Sequence, residues 1–216
     1  SACALTSGGT AKCWGANSQG RLGTGVSPPA LDLSDVPVAV TGLTGPTALA
    51  AGGGHSCARV AAGTIKCWGF NGSGQLGNGT TTDANTPVTV LASLSPPTPL
   101  TGVAAFSAGA LVAGGAHTCA LTTTATVKCW GENTYGQLGT GTTTPSSTPV
   151  TVLTSLSPPT PLAGVIALSA GSTHTCALTN VGTVKCWGEN TAGKLGTGSA
   201  TGPQTCASGI PCARTP

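Results

Sequence analysis

Four times along the chain, two cysteines stand ten positions apart, the second between a lysine and a tryptophan and ahead of a glycine-ruled tail. The stretches are "SACALTSGGTAKCWGANSQGRLGTG" from Ser1, "HSCARVAAGTIKCWGFNGSGQLGNG" from His55, "HTCALTTTATVKCWGENTYGQLGTG" from His117 and "HTCALTNVGTVKCWGENTAGKLGTG" from His174. Their second cysteines, Cys13, Cys67, Cys129 and Cys186, follow one another at intervals of 54, 62 and 57 residues. Units of that size cannot bury an apolar face alone and must stack on their neighbours. The linkers repeat as well: "TPVTVLASLSPPTPLTGVAAFSAG" from Thr86 returns as "TPVTVLTSLSPPTPLAGVIALSAG" from Thr148. The first linker is shorter, and five extra residues, "ALVAG" from Ala110, lengthen the third repeat. The chain accordingly divides into a partial first repeat (1–25), a second (26–79), a third (80–141), a fourth (142–198) and a C-terminal tail (199–216).

Each unit offers short β-prone runs, "PVTV", "GVIALSAG", "CALT" and "TVKCWG", punctuated by glycine, proline, asparagine and threonine. "CALT" and "TVKCW" read as the arms of a hairpin, across which residues ten apart face each other. Opposed Cα atoms in such a ladder stand about 4.5–5.5 Å apart, within reach of a disulfide. The spacing predicts the bridges Cys3–Cys13, Cys57–Cys67, Cys119–Cys129 and Cys176–Cys186, with Cys206–Cys212 closing a terminal loop. Ten regularly spaced cysteines point to an oxidising compartment, and the short spacings of zinc sites are missing. Each hairpin bridge is worth about 2.5–3 kcal/mol by loop entropy. Alternation puts Cys119, Leu121, Val127 and Cys129 on one face, with Ala120, Lys128 and Trp130 on the other.

Composition narrows the function classes. Only 6% of the 216 residues are charged while 39% are hydrophobic, which excludes a disordered chain. The net charge of +3 is small, and Lys12, Lys66, Lys128 and Lys185 recur at one repeat position instead of forming a basic stripe. Nucleic acid is therefore not an expected partner. The longest apolar stretch, "GVAAFSAGALVAGGA" from Gly102, is too short and glycine-rich to span a bilayer. A start at Ser1 inside a repeat, with no leader visible, reads as a mature product or a fragment, extracellular or on a cell surface.

Catalytic groups are scarce. His55, His117 and His174 each stand two residues before a cysteine. Converging inner strands would bring three imidazoles together as metal ligands; the simpler expectation is that each bonds within its own blade. The five carboxylates, Asp32, Asp35, Asp83, Glu132 and Glu189, form no recognisable acid–base pair, and no nucleophile elbow or phosphate loop occurs. Paired cysteines leave no thiolate nucleophile. No enzyme activity, cofactor or metal is expected. Trp14, Trp68, Trp130 and Trp187 could stack on sugars, but their identical placement favours packing between blades. Inside the fixed Trp-Gly-x-Asn-x-x-Gly frame, Asn17, Asn71, Asn133 and Asn190 read as residues that tolerate the left-handed conformation. The variable loop positions Phe70, Glu132, Tyr135 and Glu189 are the candidate partner contacts. Asn71 and Asn78 begin glycosylation sequons.

The text "HTCAL…VKCWGENTYGQLG", recurring four times over most of the chain, resembles the repeat of the regulator of chromosome condensation family. That resemblance implies blades of four-stranded antiparallel sheet, which family members arrange as a seven-bladed propeller, and it suggests disulfide-bearing secreted relatives. Four hairpins are too few for seven blades. The first unit lacks a "GxxALSAGxxH" run, and the last is not followed by "TPVTV". The terminal "GPQTCASGIPCARTP" lacks the alternation of a closing strand. The founder's nucleotide-exchange activity on a small nuclear GTPase does not carry over. The expected fold is all-β: about four propeller-type blades in a ring that is incomplete or completed between molecules. The expected function is a non-enzymatic extracellular structural or interaction protein that self-assembles head to tail, as a homo-oligomer or filament. The alternative is a secreted propeller that binds another extracellular protein or a glycan through its loops.

Overall fold

A computed structural model describes residues 1–26, 30–60, 63–108 and 117–216, so the "ALVAG" insertion lies outside the described residues. The β-prone runs become strands and the glycine-rich tails become turns. The first sheet holds β1 (Ala2–Leu5), β2 (Ala11–Ala16) and β3 (Leu33–Ala39) in that order. The second holds β4 (Pro46–Ala51), β5 (His55–Val60), β6 (Ile65–Gly69) and β7 (Ala84–Thr89), followed by a two-stranded ribbon of β8 (Leu91–Leu94) and β9 (Pro97–Pro99). The third repeats this plan with β10 (Val103–Ala108), β11 (His117–Thr122), β12 (Val127–Gly131), β13 (Ser146–Thr151) and the ribbon β14 (Leu153–Leu156) with β15 (Pro159–Pro161). The fourth contains β16 (Val165–Ala170), β17 (His174–Thr179) and β18 (Val184–Glu189), and its outer edge is built from β19 (Gln204–Thr205) and β20 (Pro211–Ala213). The first strands of the second, third and fourth sheets lie against one another, so the sheets radiate as blades from a shared inner side.

The hairpin register brings each cysteine opposite its partner, Cys57 to Cys67 and Cys119 to Cys129 among them. All four hairpin bridges form, with Cα atoms 4.0–4.1 Å apart, and Cys206–Cys212 spans 5.9 Å.

Two features of the sheets differ from the division of the sequence into units. The "PVTV" strand pairs backward with the hairpin before it, Val88 against Cys67 and Val150 against Cys129, so each blade straddles a unit boundary. The reason is contour: the tail folds the chain back beside its own hairpin. The terminal segment does supply a closing strand, with Ala213 against Gly188 and Cys212 against Glu189. Alternation is not needed there, because the Cys206–Cys212 bridge folds β19 onto β20 and the Asn190 N–H donates to the Pro211 carbonyl at 2.8 Å.

The core is three clusters at the seams between blades. Cys119, Leu121, Val127 and Cys129 of the third blade bury Ala177 and Trp187 of the fourth. Cys57, Ile65 and Cys67 of the second receive Ala120 and Trp130, and Cys13 of the first receives Ala58 and Trp68. A disulfide face thus always meets the tryptophan face of the following blade. On the fourth blade the disulfide face is uncovered: Val184 is 63% exposed, where its equivalent Val127 is 0%. The array of blades is not closed into a ring.

Candidate functional site

Polar contacts cross each seam between blades. Trp130 Nε1 donates to the Gln75 carbonyl at 2.9 Å and Trp187 Nε1 to the Gln137 carbonyl at 2.9 Å, while Trp68 Nε1 reaches the Arg21 carbonyl at 3.1 Å. The indole lies directly over a tail glycine. Gly77 has φ of +68°, and a Cβ there would meet Trp130 Nε1 at 2.7 Å and Val90 Cγ1 at 2.9 Å. Glycine is required twice over, by the left-handed backbone and by the close approach.

The same carbonyls take a second bond. Thr118 Oγ1 donates to the Gln75 carbonyl at 2.9 Å and Thr175 Oγ1 to the Gln137 carbonyl at 3.0 Å. With its one proton spent, the Thr118 hydroxyl accepts from His55 Nε2 at 2.8 Å, and Thr175 accepts likewise from His117 at 2.9 Å. Both imidazoles therefore carry a proton on Nε2. Burial pushes the His55 pKa down to about 4, and burial with the neighbouring His55 and His174 pushes that of His117 to about 3. His174 is also lowered, by burial and then by Lys194, against an opposing pull from Glu189. His55 and His117 each reach into the following blade, not their own, and spend their Nε2 on a hydroxyl.

Each tail is framed by its asparagine. Asn133 Oδ1 accepts from the Leu138 N–H at 2.9 Å while Nδ2 donates to the Thr142 and Thr144 carbonyls at 3.1 and 2.9 Å. This hydrogen bonding replaces the left-handed role expected of the position, since Asn17 and Asn190 have φ of −112° and −114°. Asn71 is 0% exposed, and its Nδ2 is committed to the Thr80 and Thr82 carbonyls at 3.0 and 2.9 Å. A glycan on Asn71 does not fit the folded blade, whereas Asn78 is half-exposed at the tip of the tail.

Three of the four loop candidates, Phe70, Glu132 and Glu189, lie in equivalent places on separate blades, and Tyr135 shares the tail of Glu132. Phe70 is half-buried, with its ring over Gly72, where a Cβ would meet it at 2.6 Å. Glu132 Oε2 accepts from Ser73 Oγ at 2.9 Å across a seam, and its Oε1 accepts from Thr134. Tyr135 is half-buried, its N–H donating to Gln137 Oε1 at 2.9 Å. Glu189 pairs with Lys194 at 2.8 Å and accepts from Thr173. Burial works against its charge, but bonds from Lys194, Thr173 and Thr191 prevail and hold its carboxyl below the ordinary range. The structure does not gather these residues into one site. Two of them serve the scaffold.

A model of the regulator of chromosome condensation (RCC1) repeat matches residues 10–59, 63–121 and 127–178, and a second model of that repeat matches 47–75, 110–137 and 165–194. The chain belongs to the RCC1 repeat family. Human E3 ubiquitin-protein ligase HERC2 is 35% identical over 202 residues, covering 91% of this chain and 4% of the ligase. The human probable E3 ubiquitin-protein ligase HERC6 is 32% identical over 201 residues, covering 88% of this chain and 18% of its own length. Among solved structures, human WBSCR16 superposes with a TM-score of 0.73 at 24% identity, covering 99% of this chain and 49% of that one. Prp20p of Saccharomyces cerevisiae gives 0.66 at 22% identity, covering 99% and 48%. The RCC1 repeats here span a small part of those ligases and about half of the solved propellers.

Two faces of this RCC1 array are left unmatched. Trp14, the first of the four tryptophans, is part-exposed, whereas Trp68, Trp130 and Trp187 are 0% exposed. At the other end, Gly196 is the equivalent of Gly77, and a Cβ there would meet nothing within 4 Å. An open cavity of about 500 Å³ spreads over Gly193, Gly196 and Ala200 instead.

Proposed function

We propose that this RCC1-repeat chain is a non-enzymatic interaction protein of an extracellular or otherwise oxidising setting. It associates head to tail with further copies of itself, as a homo-oligomer or filament. One observation carries the reading: a single chain holds both halves of the seam that joins its blades, a tryptophan face on the first blade and a glycine socket on the fourth, and both are open. Heterologous contacts of this kind close into rings or run on as filaments, according to the rotation each copy adds. The setting is supported by the cysteines, all ten of which are held in bridges of the kind that persist outside reducing compartments. The same bridges leave no thiolate for covalent catalysis. The ligase activity named for HERC2 and HERC6 belongs to proteins of which this chain matches a small part.

Light scattering on the oxidised 216-residue chain tests the reading. A mean mass that climbs with concentration through the micromolar range is expected. A mass that stays at one chain throughout overturns it.

A further inference from the structure

We propose that the inner seams bind ordered water, held between the side-chain amides of Gln75 and Gln137 and the Nδ1 atoms of His55, His117 and His174. The site lies at seams inside the chain and is independent of any assembly between copies.

Five buried side-chain atoms point to it. Among the described residues, His55 Nδ1, Gln75 Nε2, His117 Nδ1, Gln137 Nε2 and His174 Nδ1 have no hydrogen-bond partner. The first four belong to fully buried side chains. Folded proteins leave few such atoms unpaired, and ordered water is the usual partner where the protein supplies none. Neighbouring bonds settle the chemical role of each. Gln75 Oε1 accepts from the Ser73 N–H at 2.9 Å and Gln137 Oε1 from the Tyr135 N–H at 2.9 Å, so the unpaired atoms are the amide donors. His55 and His117 spend their Nε2 protons on Thr118 and Thr175, and burial keeps the rings neutral, which leaves each Nδ1 an acceptor.

The repeat sets these atoms in a row. Thr118 joins His55 to the Gln75 carbonyl, through bonds of 2.8 and 2.9 Å, and Thr175 joins His117 to the Gln137 carbonyl, through 2.9 and 3.0 Å. The first seam shows what lies on the other side of the glutamine position, which Arg21 fills there. A Cβ on Gly69 would meet His55 Cα at 3.0 Å and Arg21 Cα at 3.3 Å. By the same register Gln75 stands beside His117, and Gln137 beside His174. His117 accordingly feels the charge of both His55 and His174. Acceptors and donors therefore alternate from His55 through Gln75, His117 and Gln137 to His174. An anion here would face imidazole lone pairs, and a cation would face amide N–H groups. Water accepts from one and donates to the other. The first seam is an internal control, because Arg21 is longer than glutamine and spans the gap itself. Its Nη1 donates to the Gly53 carbonyl at 3.0 Å and its Nε to the Ser18 carbonyl at 2.9 Å.

The test uses the full oxidised chain. A crystal structure fine enough to place water should show density about 2.7–3.2 Å from Nε2 of Gln75 and Gln137 and from Nδ1 of His117. In solution, water-oxygen magnetic relaxation dispersion counts the waters held long enough to tumble with the protein. Gln75→Arg and Gln137→Arg copy the first seam while leaving the backbone carbonyls to Thr118 and Thr175. Each should lose at least one long-lived water, and the double variant should lose the sum of the two. Should a variant fail to fold, the wild-type map decides alone. Dry seams, in which the amides donate directly to the imidazoles, would overturn the proposal. So would a dispersion amplitude that is the same in the wild type and the folded double variant.

Discussion

At the scale of single residues, the seam works because each threonine hydroxyl has one proton and two duties. Thr118 gives that proton to the Gln75 carbonyl, which obliges His55 Nε2 to be the donor, while burial keeps the ring neutral. The unfolded imidazole titrates near 6.5, while the folded values are about 4 for His55 and about 3 for His117. Between these limits the unfolded chain binds more protons, so stability is lost as the pH falls below about 6.5, at up to about 1.4 kcal/mol per pH unit for each histidine. Glu189, whose pKa is depressed below 4.5, loses its contribution only at lower pH, so the window from 6.5 to 4.5 isolates the imidazoles. Denaturation midpoints should drop steadily across that window, and His55→Gln should cut the slope by roughly a third to a half, since His117 and His174 are lowered as well; a flat profile would contradict neutral burial. None of this is legible in the sequence, because the hydroxyl that His55 meets is 63 positions away. Asn71 misleads for a related reason. Its sequon is real text, but the frame Trp-Gly-x-Asn turns that amide inward to hold the tail.

Hairpins are the elements that sequence specifies best. Strict alternation in "CALT" and "TVKCW", with ten residues between cysteines, suffices to fix register, faces and bridges, since a one-residue slip would turn every side chain to the other face. The destination of the outer strands is harder to read. "PVTV" pairs equally well, by pattern, with what precedes or follows it, and only the return of the glycine tail decides. The closing strand Pro211–Ala213 has no pattern to find, because a bridge and backbone bonds place it. The tail glycines offer a test at this scale. Gly77→Ala and Gly196→Ala share the backbone strain of a positive φ, but only the first collides with an indole. Gly77→Ala should therefore cost about 1–3 kcal/mol more than Gly196→Ala in equilibrium denaturation. Equal costs would mean that the indole does not depend on the glycine beneath it.

Over the whole molecule, stability is distributed along seams, so the blades should not open together. The strand Ala2–Leu5 is largely exposed, while His55–Val60 and His117–Thr122 are almost wholly buried between neighbours. Hydrogen exchange should be fastest in the first blade and slowest in the second and third, with the uncovered fourth in between. Uniform protection across all four would indicate one cooperative unit in place of a chain of seams. The sequence predicts how many blades there are, from the count of hairpins, but not that the last is complete, because its outer strand is written in a different text from "PVTV". Each blade turns its indole toward its predecessor and its carbonyl toward its successor, so any blade fits behind any other. Duplicating or excising one in-register unit then creates no new kind of junction. The near-identical stretches from Thr86 and Thr148 fit such copying. A lineage of these chains can lengthen or shorten by whole blades, as a word does by syllables, and the seam re-forms at each join in place of a broken core.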